Sequence, residues 1–331
     1  MVQDGGTETG GREGDDEPAD DEVELVEPEE AADHGTEVPS PLLLPSEYTF
    51  AGGPRYTVLG TMPNRETDLR PIPALITGST VAAMALTIHF FQQNAWWSDR
   101  RTDFHFTTDW GYAAQADKFG HLYAGYMASY VGYEMLIASG VSPDAAGWIG
   151  PLLAIGFQTY VEIEDGFSPF GFDPTDQYAN MIGPLFFGLR HYIEPLQNFA
   201  IKWSYFPNTE YDEGVRDGHG TIVVDDYNGQ TIWFSAKVGN LLPDAIPWPD
   251  WLRIAVGYGA TNVDRWDPGD VLLQPGRRGF IALDYDLVEM IPDIGWFGNW
   301  LVQSFDNFRW PAPAFQFAPE PKFYIAWPFT I

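Results

Sequence analysis

The sequence predicts an α+β fold, a bundle of about four membrane-associated helices followed by an antiparallel β-rich region. Two observations carry this. An uncharged apolar stretch at 71–98 is followed by three further helical patterns, and the hydrophobic period changes from 3.6 to 2 near Ala200. A third observation sets the N-terminus apart: of 47 acidic residues, sixteen lie before Tyr48, beside one Arg.

Residues 1–47 are rich in Asp, Glu, Gly and Pro and hold too little apolar surface to fold, so a disordered acidic tail is expected. Residues 48–70 read as an extended linker, broken at Gly52-Gly53-Pro54 and Met62-Pro63-Asn64. The helical domain is expected over 71–199 and the β-rich region over 200–331. Within the first helix, 74–91 is about eighteen apolar or small residues, close to the ~20 that cross a bilayer; the alternative is a buried helix of a soluble bundle, which His89 and Thr87 would suit better. Trp96 and Trp97 close it ahead of Asp99-Arg100-Arg101, in the manner of an interfacial belt.

Helices are expected next at 112–139, 143–163 and 174–197. In the first, Gly120, Ala124 and Ala128 step by four and suggest close helix packing. In the second, Pro143 suits a first turn and Pro151 a kink. Glu134, Glu162 and Asp176 must face one another, water or headgroups. Beyond Ala200, Ile222/Val224 and Ile232/Phe234 flank Asn228-Gly229, which predicts a type I′ hairpin. Alternating runs at 252–258, 281–287 and 323–329 bring the total to five or six strands. An amphipathic helix carries Phe297, Trp300, Leu301, Phe305 and Phe308 on one face. A closed single-chain outer-membrane barrel needs at least about eight strands, so none is expected.

The net charge of −30 and only four lysines disfavour binding to nucleic-acid phosphates. Such an acid-rich, Lys-poor surface is read as that of a salt-loving source. With no cysteine there is no disulfide, thiolate metal site, Cys nucleophile or lipid-bearing Cys. No signal peptide starts at Met1, so the export signal was removed, lies upstream, or is replaced by an internal insertion segment. Gly257-Tyr258-Gly259 lacks the third Gly of a nucleotide loop, and no Gly-x-Ser-x-Gly elbow is present.

The informative residues lie on the helices. Asp117 and His121, with Lys118 between them, stand one turn apart, as do Gln158 and Glu162, and then Asp176 and Asn180; Asp165 follows Glu162. These eight residues form a candidate polar cluster, and three readings of it stay open. It is a hydrogen-bonded network in which Lys118 and His121 neutralise the carboxylates, a divalent-metal or catalytic site, or a binding or transport pocket. The metal candidates are Asp117, His121, Glu162 and Asp176, because carboxylates with one imidazole suit a hard or borderline cation. Glu162→Gln is expected to cost stability in a network and to abolish bound metal in a metal site.

The run Trp96-Trp97, Phe104-His105-Phe106, Asp109-Trp110 and Asp117-Lys118-x-Gly120-His121 resembles the YfiM-like family of predicted bacterial envelope lipoproteins. So do Gln158-Thr159-x-x-Glu162-x-x-Asp165-Gly166-Phe167-Ser168, Gly171-Phe172 and Asp176-x-x-x-Asn180-x-x-Gly183. The likeness runs on through Asp226-Tyr227-Asn228-Gly229-Gln230-Thr231, residues 255–259, Arg278-x-x-x-x-Leu283-Asp284-x-Asp286 and Pro311-Ala312-Pro313. The Asp117-Lys118-x-x-His121 pattern with its later carboxylates is a fainter likeness to VanZ-like membrane proteins. The resemblance implies a location at a membrane of the bacterial envelope, several hydrophobic helices and no established activity. The chain departs from the family in having neither a lipidation Cys nor a signal at Met1. The expected role is a non-enzymatic structural or binding component whose partner is membrane lipid. The alternative is a metal-dependent hydrolase acting on a lipid or cell-wall intermediate. A small-solute carrier is disfavoured, since no inverted repeat is evident.

Overall fold

A computed structural model of the chain describes residues 49–50, 53–54, 56–95, 97, 101–207, 223–243, 245–264 and 271–329. The acidic tail, Trp96, Asp99-Arg100 and Ile222 lie outside the described residues. A two-residue ladder, β1 (Thr49–Phe50) and β2 (Gly53–Pro54), precedes the helices.

Helix α1 is Pro71–Ala95. Its proline sits where an orphan N–H would otherwise be, and its 25 residues extend about 37 Å at 1.5 Å each. Its large side chains point outward: Ile72, Leu75, Leu86 and Phe90 are all more than half exposed. Among the described residues, α1 is the one helix long and apolar enough to cross a membrane, and 6% of its most apolar window is buried. Thr77 is an exception to the outward pattern, buried against Ser139 through a hydroxyl contact.

Helices α2 (Ala116–Ala138), α3 (Pro143–Gly166) and α4 (Pro174–Tyr192) form the bundle behind it. The helix expected at 112–139 starts four residues late. Ala113, Ala114 and Gln115 have φ of 46°, 52° and 69°, and three successive non-glycine residues in the left-handed region end any continuous helix. The segment 174–197 likewise splits at Ile193 into α4 and a short 3-10 turn, Glu194–Asn198. Close helix contact does not run along Gly120, Ala124 and Ala128, since Ala124 is exposed and Gly120 faces open space. It runs through Gly132 against Gly150, and through Gly183, where an added Cβ would lie 2.0 Å from the Leu122 carbonyl oxygen. The bundle core is a tyrosine column on α2, with Tyr123, Tyr126, Tyr130 and Tyr133 packed on Phe187, Ile201 and Ile232.

Six antiparallel strands then follow in sequence order: β3 (Phe199–Tyr205), β4 (Gln230–Ala236), β5 (Leu252–Thr261), β6 (Gly276–Tyr285), β7 (Ala314–Ala318) and β8 (Lys322–Tyr324). Between β6 and β7 lie a single turn, α5 (Leu287–Met290), and α6 (Trp296–Phe305). The chain is thus α+β, a helical bundle followed by an antiparallel sheet.

Both faces of the sheet carry large apolar side chains. One face holds Trp233, Phe280, Tyr324 and Trp327 together with buried ions. Lys202 meets Asp284 at 3.1 Å and Asp306 at 3.0 Å, Lys237 meets Asp286 at 2.7 Å, and Arg253 also pairs with Asp286. The other face puts Phe234, Val256, Ile281, Phe315 and Phe323 in register across five strands, all exposed. On α6 the buried residues are Asn299 and Val302, while Phe297 and Phe305 face outward, so the expected aromatic face is not the packed one.

The Asn228-Gly229 hairpin is corrected too. Neither residue has positive φ, and β4 pairs with β3 rather than with a strand at 222–224. Tertiary bonds override the turn. Asn228 accepts from the Val263 amide at 3.0 Å and donates to the Val263 carbonyl at 3.0 Å. Gly229 N–H donates to Asp226 Oδ1 at 3.0 Å.

Candidate functional site

The bundle packing puts one polar cluster where α2, α3 and α4 meet. Asp117 and Asp176 stand in the first turns of α2 and α4, where the helix dipole favours negative charge. The α4 cap is Asp173, which accepts from Thr175 N–H at 2.7 Å and from the Thr175 hydroxyl at 2.8 Å. The start of α2 is fixed by the left-handed residues before it, with Ala113 and Ala114 buried against Ala260 and Val263 and the Tyr258 hydroxyl donating to the Ala114 carbonyl.

Lys118 is the hub. Its ammonium lies 2.9 Å from Asp117, 2.7 Å from Asp176 and 3.4 Å from Asp173, and it also pairs with Asp109. Burial alone would lower its pKa, but Asp117 and the other carboxylates raise it above the ordinary lysine value.

His121 is the second hub. Its Nε2 lies 3.6 Å from Asp117 and 3.9 Å from Asp176, and its Nδ1 lies 3.7 Å from Glu162. Asn180 ties the helices together. Its Oδ1 lies 3.0 Å from His121 Nδ1 and accepts from Gln158 at 2.9 Å, while its Nδ2 donates to Glu162 at 3.0 Å. The three i,i+4 pairs therefore meet at one place. Asp165 sits at its margin, accepting from the Trp97 indole at 2.7 Å. Glu134 lies apart, with Gln303 donating to it at 3.3 Å.

Asp109, Asp173 and Tyr227 join the cluster without having been singled out as site residues. Asp109 and Asp173 lie in loops or caps with no helical spacing to betray them. The Asp173-Pro174 pair carried a helix-start signal. Tyr227 donates to Asp117 at 2.6 Å from 110 residues away, a contact no local pattern encodes.

Six carboxylates surround two cationic side chains, and their titration reflects it. Burial tends to raise Asp117, yet His121 and Lys118 hold it below the ordinary aspartate range. Burial pushes Glu162 up to about 8, against the pull of His121, with Asp176 and Asp165 adding to the rise. Burial likewise takes Asp176 to about 7 and Asp165 to about 6. Burial and a hydrogen bond with Asp173 raise Asp109 to about 6. For His121 burial acts downward, and Asp117, Asp176 and Glu162 outweigh it, so the imidazole stays above its usual value. Near neutral pH the excess negative charge is thus relieved partly by protons on Glu162 and Asp176.

Two sets of donor atoms converge within 4.8 Å, Asp117/His121/Asp176 and Asp109/Asp173/Asp176. Either offers oxygen-rich ligation of the kind hard divalent cations take. Glu162 falls outside both, its carboxylate being engaged by Asn180.

Residues 105–191 match the model of a family described as "Predicted periplasmic lipoprotein (DUF2279)". The matched segment contains α2, α3, all but the last residue of α4 and every cluster residue from Asp109 to Asn180. It supports a bacterial envelope protein of uncharacterised function, in agreement with the resemblance read from the sequence, and gives the likeness to VanZ-like proteins no support. No curated protein and no solved structure matches the chain.

Proposed function

Taking as premise a helical segment of the predicted periplasmic lipoprotein family, we propose that the chain is a structural or binding component of the bacterial envelope, without catalytic activity. In this reading the polar cluster locks the register of α2, α3 and α4. The observation that carries it is the engagement of Lys118 by four carboxylates, with Asn180 spanning His121, Gln158 and Glu162. The carboxylates are held by the protein's own donors. Lys118 closes the oxygen cage that a cation would otherwise occupy.

Lys118→Met, measured by chemical denaturation, should cost about 3–5 kcal/mol, the range for stranding one side of a buried ion pair. Elemental analysis of the wild type should show no stoichiometric metal, and chelator should leave its melting temperature unchanged. The rival is a metal-dependent hydrolase acting on a lipid or cell-wall intermediate, favoured by the two donor sets that share Asp176. Stoichiometric metal whose removal lowers the melting temperature would overturn the network reading, and metal-dependent release of product from such an intermediate would then establish the rival.

A further inference from the structure

A second feature lies away from the polar cluster. Between α2, α4 and the outward face of the sheet runs an apolar groove of about 580 Å³, within the size range of small-ligand sites. Its walls include Leu122 and Phe186 from the helices and Ile232 and Val256 from the sheet. Phe119 stacks on Tyr258 with centroids 4.6 Å apart at one end. Phe317 lies over Gly279, where a Cβ would meet its ring at 2.5 Å. The groove opens onto the exposed row Phe234, Val256, Ile281, Phe315 and Phe323, so its apolar floor continues to the molecular surface.

The groove's own lining is almost wholly apolar, and a cation stands beside it. Arg277 lines the groove and the adjoining polar hollow formed with Gln115 and Gln274. Its Nε donates to Gln115 at 3.0 Å, and among the described residues no carboxylate lies in ion-pair range of it. The neighbouring Arg278 is engaged elsewhere, donating to the Asn228 carbonyl and lying 5.7 Å over the Trp327 ring. Arg277 opposes Ala260, and Val256 lies four residues farther along β5. Along β5 the backbone positions of Ala260 and Val256 are therefore about 13 Å apart at ~3.3 Å per residue.

We infer that this groove holds one acyl chain of an anionic bilayer lipid, with its phosphate on the Arg277 guanidinium. A guanidinium presents paired donors that match phosphate oxygens. A water-soluble ligand would not need the open apolar path across five strands. The bilayer source follows from α1, which is long and apolar enough to span and exposed along its length.

The test uses the full chain in nanodiscs of zwitterionic phosphatidylcholine doped with photoreactive acyl-chain probes, one on phosphatidic acid and one on phosphatidylcholine. Crosslinked peptides are then mapped by mass spectrometry. The anionic probe should label peptides bearing Phe119, Val256 and Phe317 at least tenfold more than the zwitterionic probe does. Arg277→Gln, at an exposed position that leaves folding intact, should reduce its labelling to the zwitterionic level. Val256→Trp should block groove labelling by both probes while leaving α1 labelled. Equal labelling by the two headgroups, indifference to Arg277→Gln, labelling confined to α1, or a second copy crosslinked through the same peptides would each overturn the inference.

Discussion

Asn180 makes three contacts with a single amide, and that economy explains how the cluster joins its helices. Glu162 is the member whose chemistry most alters an expectation drawn from sequence. A carboxyl raised from 4.5 to about 8 is mainly protonated at pH 7, so Glu162→Gln imitates the native form there and should cost little. The sign follows from linkage. Between its ordinary value and about 8 the folded state binds more protons at Glu162 than the unfolded chain, so this group's contribution falls as pH rises. Thermal melts from pH 5 to 9 should therefore show a shallower alkaline decline in Glu162→Gln than in wild type, with the variant the more stable at pH 9. Parallel curves would refute the raised pKa. The spacing of Asp117/His121, Gln158/Glu162 and Asp176/Asn180 was legible because one helical turn fixes which side chains share a face. Asp109, Asp173 and Tyr227 were not, because loops, caps and a contact across 110 residues leave no period to read.

At the scale of elements, helix packing turns on glycines where two backbones meet. Gly183→Ala would place a methyl 2.0 Å from the Leu122 carbonyl oxygen. Backbone cannot yield as a flexible side chain can, so a loss of about 1–3 kcal/mol is expected from overpacking. Urea denaturation of the variant measures it, and an unchanged midpoint would mean that α2 and α4 do not meet there. Hydrophobic period identified the helices and most strands correctly but not which side of the sheet is inside. Residues 252–258 alternate large apolar with small or charged, and it is the second set, Arg253 and Ala255, that is buried. Alternation alone gives two faces. Choosing between them requires the partners Asp286 and Asp306, which come later in the chain. The Asn228-Gly229 turn failed for a similar reason: Val263 supplies bonds stronger than the dipeptide's own preference.

At the scale of the whole molecule, α1 and the outward sheet row both present exposed large apolar side chains, the kind of surface a bilayer covers. Membranes from cells expressing it, washed with alkaline carbonate, should retain it, and extraction should require detergent. Full release by carbonate would remove α1 as a span. The sheet's two margins have a different consequence, for how copies can add to one another. Along β3 the margin is interrupted at its middle, where Arg309 N–H donates to the Trp203 carbonyl at 2.9 Å and Trp203 N–H to the Asn307 carbonyl at 3.3 Å, so a second copy cannot pair along its full length. At β8, a strand of three residues, no described strand takes the outer side. A sheet with two open margins can add copies without end, each offering a fresh template to the next. One whose β3 margin is interrupted in this way is left with β8 as the unbroken edge, and β8 can then pair with β8. That contact is the same patch on both subunits, so it closes on a two-fold axis, and growth by edge pairing stops at two.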